Sequence, residues 1–223
     1  MKYYLCFVLI LIILPFAASS HDIYDYIPEE VTEQLSSTQV AAIYSRLGFD
    51  HILPKGSDHI LFVLGLFLLS SKFKTLLLQV SMFTVAHTIT LALTINNMIA
   101  LPAHIVEPLI ALSIVFIAIE NVFISEMKPW RPFVIFAFGL LHGMGFAGVL
   151  AKLGMPQGHF MTSLISFNIG VELGQLVVVL IAFFTIGRFR NRKWYRDSIV
   201  IPASTLIALV GLYWTVSRVF LSE

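Results

Sequence analysis

The chain has 223 residues, of which 58% are hydrophobic and 12% are charged, and its formal net charge is +1. A soluble domain carries about 25% charged residues, so this composition excludes a soluble globular protein. The small net charge argues against nucleic acid as a partner. The length does not accommodate a soluble domain beside a membrane domain, so the composition predicts one polytopic domain in the lipid bilayer.

Residues 1–20 are typical of a cleaved secretory signal peptide. Lys2 precedes an apolar stretch over residues 5–16, and the small residues at 17–20 fit a cleavage site. An uncleaved first helix is the alternative. Cleavage would leave His21 at the new N-terminus. There the imidazole and the α-amine form a pair that can bind a metal. The alternative is that His21 is an ordinary polar residue after the cleavage site. The single cysteine lies in this segment, which excludes a thiolate metal site from the mature chain.

Residues 21–50 are polar and acidic, and they predict a short extracytoplasmic lead-in rather than a domain. The Ser-Ser-Thr run at 36–38 is suited to cap a short amphipathic helix. Apolar side chains from Val40 to Leu47 would form one face of that helix. Gly48 is expected to end it.

Six apolar runs then predict an all-α fold, a polytopic membrane helix bundle over residues 51–223. Each run is close to the roughly 17–25 residues that a bilayer requires, although the first is short. The approximate limits are 57–71, 75–97, 103–125, 132–153, 160–186 and 197–220.

Lysines and arginines gather in alternate loops, after the first, third and fifth spans. The largest group is Arg188, Arg190, Arg192, Lys193 and Arg196. Cytoplasmic loops carry such an excess of positive residues. The pattern therefore predicts a multi-pass membrane protein with its N-terminus outside.

Ionisable residues lie inside or at the edges of the apolar runs, and they are the main indication of function. At membrane depth such residues are costly, so they usually face the bundle interior on an ion, proton or substrate path. They are Asp58, His59, His87, Glu107, Glu120, His142 and Glu172. From their depths we expect His59, His87 and His142 to approach one another in the outer half of the bundle, with Asp58 and His59 near the outer end of the first span. A turn at residues 54–56 is expected to fold His51 back over the mouth of that span.

For several of these residues, a structural role is the alternative to a position on the ion path. Glu107 can simply stabilise the start of the third span through the helix dipole. Glu120 lies about 20 Å closer to the cytoplasm than Glu107. It is either a gate or relay on the cytoplasmic side, or it pairs with Lys128 or Arg131.

The fifth span carries one polar face, formed by Asn168, Glu172 and Gln175. Hydrogen bonding between helices competes there with a role in lining an ion path. Two small-xxx-small pairs, Gly139 with Gly143 and Gly170 with Gly174, predict close helix packing. We expect this packing to bring His142 near Glu172.

Five ordered motifs between residues 47 and 186 resemble the HupE/UreJ family. They are His51-Ile-Leu-Pro-Lys-Gly-Ser-Asp58-His59-Ile-Leu-Phe, Phe83-Thr-Val-Ala-His87-Thr-Ile-Thr-Leu, Val106-Glu107-Pro-Leu-Ile-Ala-Leu-Ser113, Phe138-Gly-Leu-Leu-His142-Gly-Met-Gly-Phe and Phe167-Asn168-Ile-Gly-Val-Glu172-Leu-Gly-Gln175. The family consists of bacterial membrane proteins associated with hydrogenase and urease systems. The resemblance implies a nickel or cobalt permease, which is the role assigned to the better-studied branch.

Two departures place the chain closer to a second, less characterised branch. Six residues rather than five separate His51 from Asp58, and the motif around His142 has one histidine and no following acid. Glu172 is the expected substitute for that acid. The resemblance therefore does not carry nickel specificity over.

The leading interpretation is a transporter for a divalent transition metal, Ni²⁺ or Co²⁺, because imidazole and carboxylate are ligands for such ions. The expected metal ligands are His51, Asp58, His59, His87, His142 and Glu172, and further metal or path residues are His21, Glu107, Glu120, Asn168 and Gln175. The alternative is an intramembrane zinc-type hydrolase acting on a lipid or lipid-linked group, in which the ion activates water. A metal sensor or accessory protein ranks last.

Overall fold

The computed structural model describes residues 35–70, 72–99, 101–153 and 156–221, and within these ranges the chain forms helices and loops without a strand. The helices are α1 Ser37–Ile52, α2 Ser57–Leu69, α3 Phe73–Ile95, α4 Ala103–Phe123, α5 Arg131–Leu153, α6 Phe160–Thr185 and α7 Ile201–Phe220. A π-helical turn, Arg196–Val200, leads into α7. The predicted all-α membrane bundle is confirmed.

Five of the helical segments are long and apolar enough to cross a bilayer individually, namely α3, α4, α5, α6 and the segment Arg196–Phe220. Large apolar side chains such as Val85, Phe116 and Ile165 cover their outer faces. Helices suit this environment because they satisfy all backbone hydrogen bonds internally where no water is present.

The first predicted span differs from the structure. Helix α2 has 13 residues and a length of about 20 Å, which is short against a hydrocarbon core of about 30 Å. Helix α1 precedes it at a bend of 70°, and the two helices are long and apolar enough for a span only as a pair. By length and composition, the part of the chain that the structure describes therefore contains five helices that can cross a membrane, or six if the bent pair counts as one.

Helix α1 begins as the sequence predicts and ends later. Ser36 caps it with a capping box in which the Ser36 side chain and Gln39 satisfy each other's backbone N–H groups. Val40 and Tyr44 are buried on one face. The expectation that Gly48 ends the helix is wrong, because the helix continues to Ile52 and Gly48 serves instead as a packing site.

Glycines bring the backbones of α1 and α6 into direct contact. A Cβ atom on Gly48 would collide with the carbonyl oxygen of Phe167, and one on Gly170 would collide with the carbonyl oxygen of Ser45. Gly174 faces the side chain of Ile52. Such small residues allow helices in membranes to approach closely. The contact places the end of α1, and with it His51, halfway along α6.

The second glycine pair joins α5 to α3. Cβ atoms on Gly139 and Gly143 would collide with the carbonyl oxygens of Phe83 and His87, respectively. Close packing at both glycine pairs is thus confirmed, but the expected approach of His142 to Glu172 is wrong. The two pairs face α3 and α1 rather than each other, so His142 is brought toward His87.

Helix α2 carries the chain onward from the middle of the bundle. Gly65 packs against Ile117 of α4, and the Nδ2 of Asn121 donates to the Gly65 carbonyl oxygen over 2.8 Å. The break at residues 53–56 therefore lies within the bundle rather than at its edge. Asp58 and His59 lie in the first turn of α2, and their expected position near the outer end of the first span stays a prediction.

The glycine contact between α1 and α6 generates a prediction about stability. We expect Gly48→Ala to lower the free energy of unfolding by about 1–3 kcal/mol, because the added methyl group forces two backbones apart. Gly148→Ala is the control, since a Cβ atom there meets nothing within 4 Å. Unfolding of both purified variants in a denaturing detergent checks this. Equal stability of the two variants would contradict the packing.

Candidate metal centre

Four histidines from four helices converge around the break between α1 and α2. We call His51, His59, His87 and His142 the histidine cluster. The His59 ring centroid lies 4.7 Å from that of His51, 4.8 Å from that of His142 and 6.0 Å from that of His87. The predicted approach of His59, His87 and His142 is observed, and His51 joins them as the turn at 54–56 predicts.

All four imidazoles are buried, with side chains exposed by 7% or less. Each has one buried ring nitrogen without a hydrogen-bond partner, namely Nε2 of His51, His59 and His87 and Nδ1 of His142. A buried polar atom without a partner carries a desolvation cost of about 1–3 kcal/mol. Four such atoms in one place can accept bonds from a ligand such as a metal ion.

Neighbouring side chains assign the tautomers of His87 and His142. Asn168 donates through Nδ2 to the Leu164 carbonyl oxygen, so its Oδ1 accepts from Nδ1 of His87 at 2.9 Å. Ser113 donates to the Ile110 carbonyl oxygen, so its Oγ accepts from Nε2 of His142 at 3.1 Å.

These assignments leave a lone pair on Nε2 of His87 and on Nδ1 of His142, the two nitrogens without partners. Metal-binding histidines are commonly oriented in this way, with the second ring nitrogen donating to an oxygen. Both rings are therefore held in the tautomer that a metal ion requires.

Asp58 has the same effect on His59. Its Oδ1 lies 3.1 Å from Nδ1 of His59 and accepts from the His59 backbone N–H at 2.9 Å. This leaves Nε2 of His59 available. The Asp58 side chain is 23% exposed against 3% for His59, so the carboxylate is the accessible edge of the cluster.

The ligand atoms form two overlapping groups. One contains His51, His59 and His87, the other contains Asp58, His59 and His142, and the atoms within each lie within 4.8 Å of one another. Nitrogens around a single ion are about 3–4 Å apart when each bond is close to 2.1 Å. The limit of 4.8 Å is wider than this spacing, and His59 belongs to both groups.

Aromatic rings enclose the histidine cluster. Phe146 lies 3.8 Å from the His51 ring centroid and stacks on Phe167 at 5.3 Å. Phe83 lies 5.0 Å from the His142 ring, and Phe62 lies 5.4 Å from it. An apolar shell of this kind restricts water and strengthens the interactions of any charge that enters.

Glu172 and Gln175 lie on the α6 face predicted for them, and they meet α3 rather than the described ligand groups. Glu172 is half-buried and accepts from Oγ of Ser81 at 2.5 Å. Gln175 is buried and accepts from Oγ1 of Thr84 at 3.1 Å. Of the three polar residues of α6, Asn168 therefore contacts His87. Glu172 and Gln175 form a separate polar layer with Ser81 and Thr84.

Glu120 faces the interior near the far end of α4. Its side chain is buried, and Oε2 lies 3.4 Å from Nη1 of Arg131, which is fully buried. Arg131 also donates to Asn121 over 3.4 Å. Of the alternatives left open by the sequence, pairing with Arg131 is the one observed, while Lys128 is exposed.

The remaining predicted residues lie elsewhere. Glu107 is exposed on α4, and its backbone oxygen accepts from Arg218 over 3.0 Å. His21 falls outside the described residues, as does the predicted signal peptide, and both stay predictions. The assignment of residues 21–50 to the lead-in also stays a prediction.

Comparison with known proteins agrees with this geometry. The family model described as HupE / UreJ protein matches residues 28–218, which is most of the chain. The chain belongs to the HupE / UreJ family. No curated protein and no solved structure gives a significant match to it. The HupE / UreJ family is associated in general with nickel and cobalt uptake.

The structure of this HupE / UreJ protein adds contacts around the histidine cluster that the sequence does not indicate. Ser113 lies within the third motif, but serine alone carries no signal of contact with a histidine. Phe146 resembles an ordinary apolar residue. Arg131 is an expected alternative partner of Glu120, and the structure adds that it begins α5 and is fully buried.

The buried Glu120–Arg131 pair of the HupE / UreJ protein predicts a specific pattern of stabilities. Arg131→Gln leaves an uncompensated carboxylate, so we expect a loss of about 3–5 kcal/mol in the free energy of unfolding. The double variant Glu120→Gln/Arg131→Gln should recover much of that loss, and Lys128→Gln should be neutral. Detergent unfolding of these three variants and of Glu120→Gln measures this, and a double variant whose loss equals the sum of the two single losses would refute the coupling.

Proposed function

We propose that the chain transports a divalent transition-metal ion, Ni²⁺ or Co²⁺, across the bacterial inner membrane. The observation that carries the proposal is the histidine cluster, in which four buried ring nitrogens from four helices have no hydrogen-bond partner. A metal ion supplies the bond that each of these nitrogens lacks. The ion is cargo, and the protein supplies the ligands and the path.

The chemistry of the cluster favours a transition metal over an alkali ion. Neutral imidazole binds nickel, cobalt, zinc and copper, whereas hard cations prefer oxygen ligands. Three of the four histidines have their second nitrogen held by an oxygen of Asp58, Asn168 or Ser113. Such support fixes the ring orientation and raises the basicity of the ligand nitrogen. Because imidazole also binds zinc, Zn²⁺ is a further candidate for the transported ion.

Asp58 is suited to admit the ion. It is the most exposed member of the two ligand groups, and it carries the negative charge that attracts a cation to the site. The shared ligand His59 then connects the Asp58–His142 side of the cluster with the His51–His87 side.

Polar residues continue from the cluster toward the far end of the bundle. The pair Thr84 and Gln175 is buried, and Gln79 is fully buried with Nε2 donating to Met127 Sδ over 3.0 Å. Glu120 and Arg131 follow. An ion that moves along this route competes with Arg131 for Glu120, so the ion pair acts as the inner barrier.

This inner route favours transport over the intramembrane hydrolase, which is the second candidate. Three histidines with a carboxylate also suit a zinc ion that activates water. A hydrolase requires access for a lipid substrate and has no use for buried polar groups on the far side of the site. The interior position of Glu120 is the observation that separates the two functions.

The charge pattern supports the orientation of the transporter. Lys72, Lys74, Arg188, Arg192 and Lys193 are exposed at the end of the bundle where α2 and α6 finish. Positive residues gather on the cytoplasmic side. The ion would therefore enter from the outer side through Asp58 and leave past Glu120, driven by an ion gradient, the membrane potential or a partner.

Metal affinity tests the ligand set. We expect His59→Ala to weaken Ni²⁺ or Co²⁺ binding by about 100-fold or more, and Asn168→Ala to weaken it by about 10- to 100-fold, because removing a supporting residue typically costs that much. His104→Ala, an exposed histidine at the start of α4, should bind as the wild type does. Calorimetric titration of the purified variants measures the affinities. Wild-type affinity in His59→Ala would overturn the proposed site.

Uptake tests the path. We expect Glu120→Gln to reduce uptake into proteoliposomes by about tenfold or more, because it removes the charge on the inner side while leaving the histidine cluster untouched. Glu107→Gln is the control, since that carboxylate is exposed. Metal affinity measured on the same preparation shows that the variant is folded. Full uptake by Glu120→Gln would favour the hydrolase instead.

A further inference from the structure

A basic pocket opens at the opposite end of the bundle from Asp58, between the ends of α2 and α4 and the start of the Arg196–Phe220 segment. Its lining residues are Leu68, Leu69, Ser70, Ser125, Arg190, Tyr195, Arg196 and Val200. Its volume of about 160 Å³ is several times the roughly 30 Å³ that a water molecule occupies in the liquid, so a larger group fits.

Both arginines of the basic pocket are held in place by the protein. Arg190 donates to the Phe67 carbonyl oxygen over 2.8 Å, and its guanidinium carbon lies 4.0 Å from the centre of the Phe67 ring. Arg196 donates through Nη1 and Nη2 to the carbonyl oxygens of Ile124 and Val122. These bonds cap the C-terminal ends of α2 and α4, so the two cations are positioned before any ligand arrives.

The charge of the two arginines is not balanced within the pocket. None of the described lining residues is acidic, and neither arginine belongs to an ion pair among the described residues. A guanidinium has five N–H donors, and the bonds to the helix ends use a minority of them. Hydroxyl groups of Ser125 and Tyr195 add further polar atoms. The combination fits a tetrahedral oxyanion, which arginine binds in a forked geometry.

We propose that the basic pocket binds the phosphate group of an anionic phospholipid in the adjacent leaflet. The choice of a lipid over a free ion rests on the apolar part of the lining. The first carbons of an acyl chain would lie against Leu69, which is partly exposed at the end of α2, while Leu68 and Val200 form the buried apolar wall of the pocket. Basic pockets between membrane helices are suited to anionic headgroups. The site lies apart from the histidine cluster and does not depend on metal transport.

Ser125 allows a test that leaves the arginine caps intact. Ser125→Asp places a negative charge in the pocket. Ser125→Asn introduces a side chain of nearly the same shape as that of aspartate, without the charge. The Ser125 side chain is exposed in the structure, so the fold accommodates both substitutions. Binding to the full chain in detergent is measured by native mass spectrometry with phosphatidylglycerol, with phosphatidylcholine, and with phosphatidylglycerol in excess inorganic phosphate. Arg192→Gln, an exposed cation outside the pocket, controls for net charge.

We expect the wild type, Ser125→Asn and Arg192→Gln to retain phosphatidylglycerol, and Ser125→Asp to bind it about tenfold more weakly, as expected for an added like charge at a headgroup site. Equal retention of phosphatidylcholine by the wild type would overturn the proposal. Complete displacement by inorganic phosphate would identify a free-anion site and would also overturn it. So would wild-type binding by Ser125→Asp.

Discussion

Buried polar atoms inside a lipid-embedded bundle have no water to bind, so each one must be satisfied by protein or by cargo. In the described part of the chain, most polar side chains of the interior meet this requirement through neighbouring helices, as Thr84 does with Gln175 and Asn121 does with Gly65. The histidine cluster contains four atoms that do not, and further buried atoms without a hydrogen-bond partner belong to Gln79, Glu120, Arg131, Ser163 and Ser204 among others. In the cluster, His59, His87 and His142 have the second ring nitrogen held by an oxygen, while one buried nitrogen of each of the four histidines has no partner. The surrounding helices hold the four partnerless nitrogens of the histidine cluster close together and enclose them.

The break between α1 and α2 makes this arrangement available. A continuous helix would hold His51 and His59 on its own surface at fixed spacing, about 12 Å apart along the axis. The bend of 70° instead brings their rings to 4.7 Å from each other. Close backbone contact through Gly48 and Gly170 anchors α1 on α6. Gly143 in turn holds α5 against α3 beside His87. Irregular backbone at membrane depth is tolerated where it lines an interior site, and this break does so.

Much of the fold and part of the candidate site follow from the sequence. Apolar run lengths locate α3 to α6, and ionisable residues within those runs identify three of the four clustered histidines, because burial of such groups in lipid is costly. The turn at residues 54–56 correctly folds His51 toward them. Helix α1 was missed as part of a broken span, since its surface-like composition resembles a soluble amphipathic helix. Glu172 was assigned to the cluster because helical spacing shows which face a residue occupies, not which neighbouring helix it meets. The sequence leaves Lys128 and Arg131 as alternative partners of Glu120, because position at a span boundary does not distinguish an exposed cation from one paired with a buried acid.

Binding of a divalent transition metal by the histidine cluster can be measured by X-ray absorption at the metal edge, on purified protein loaded with one equivalent of Co²⁺ or Ni²⁺. We expect ligand atoms at about 2.0–2.2 Å from the ion that include at least three imidazole nitrogens, with the imidazole scattering reduced in His59→Ala. Coordination by oxygens alone, unchanged in His59→Ala, would show instead that the ion is bound outside the cluster.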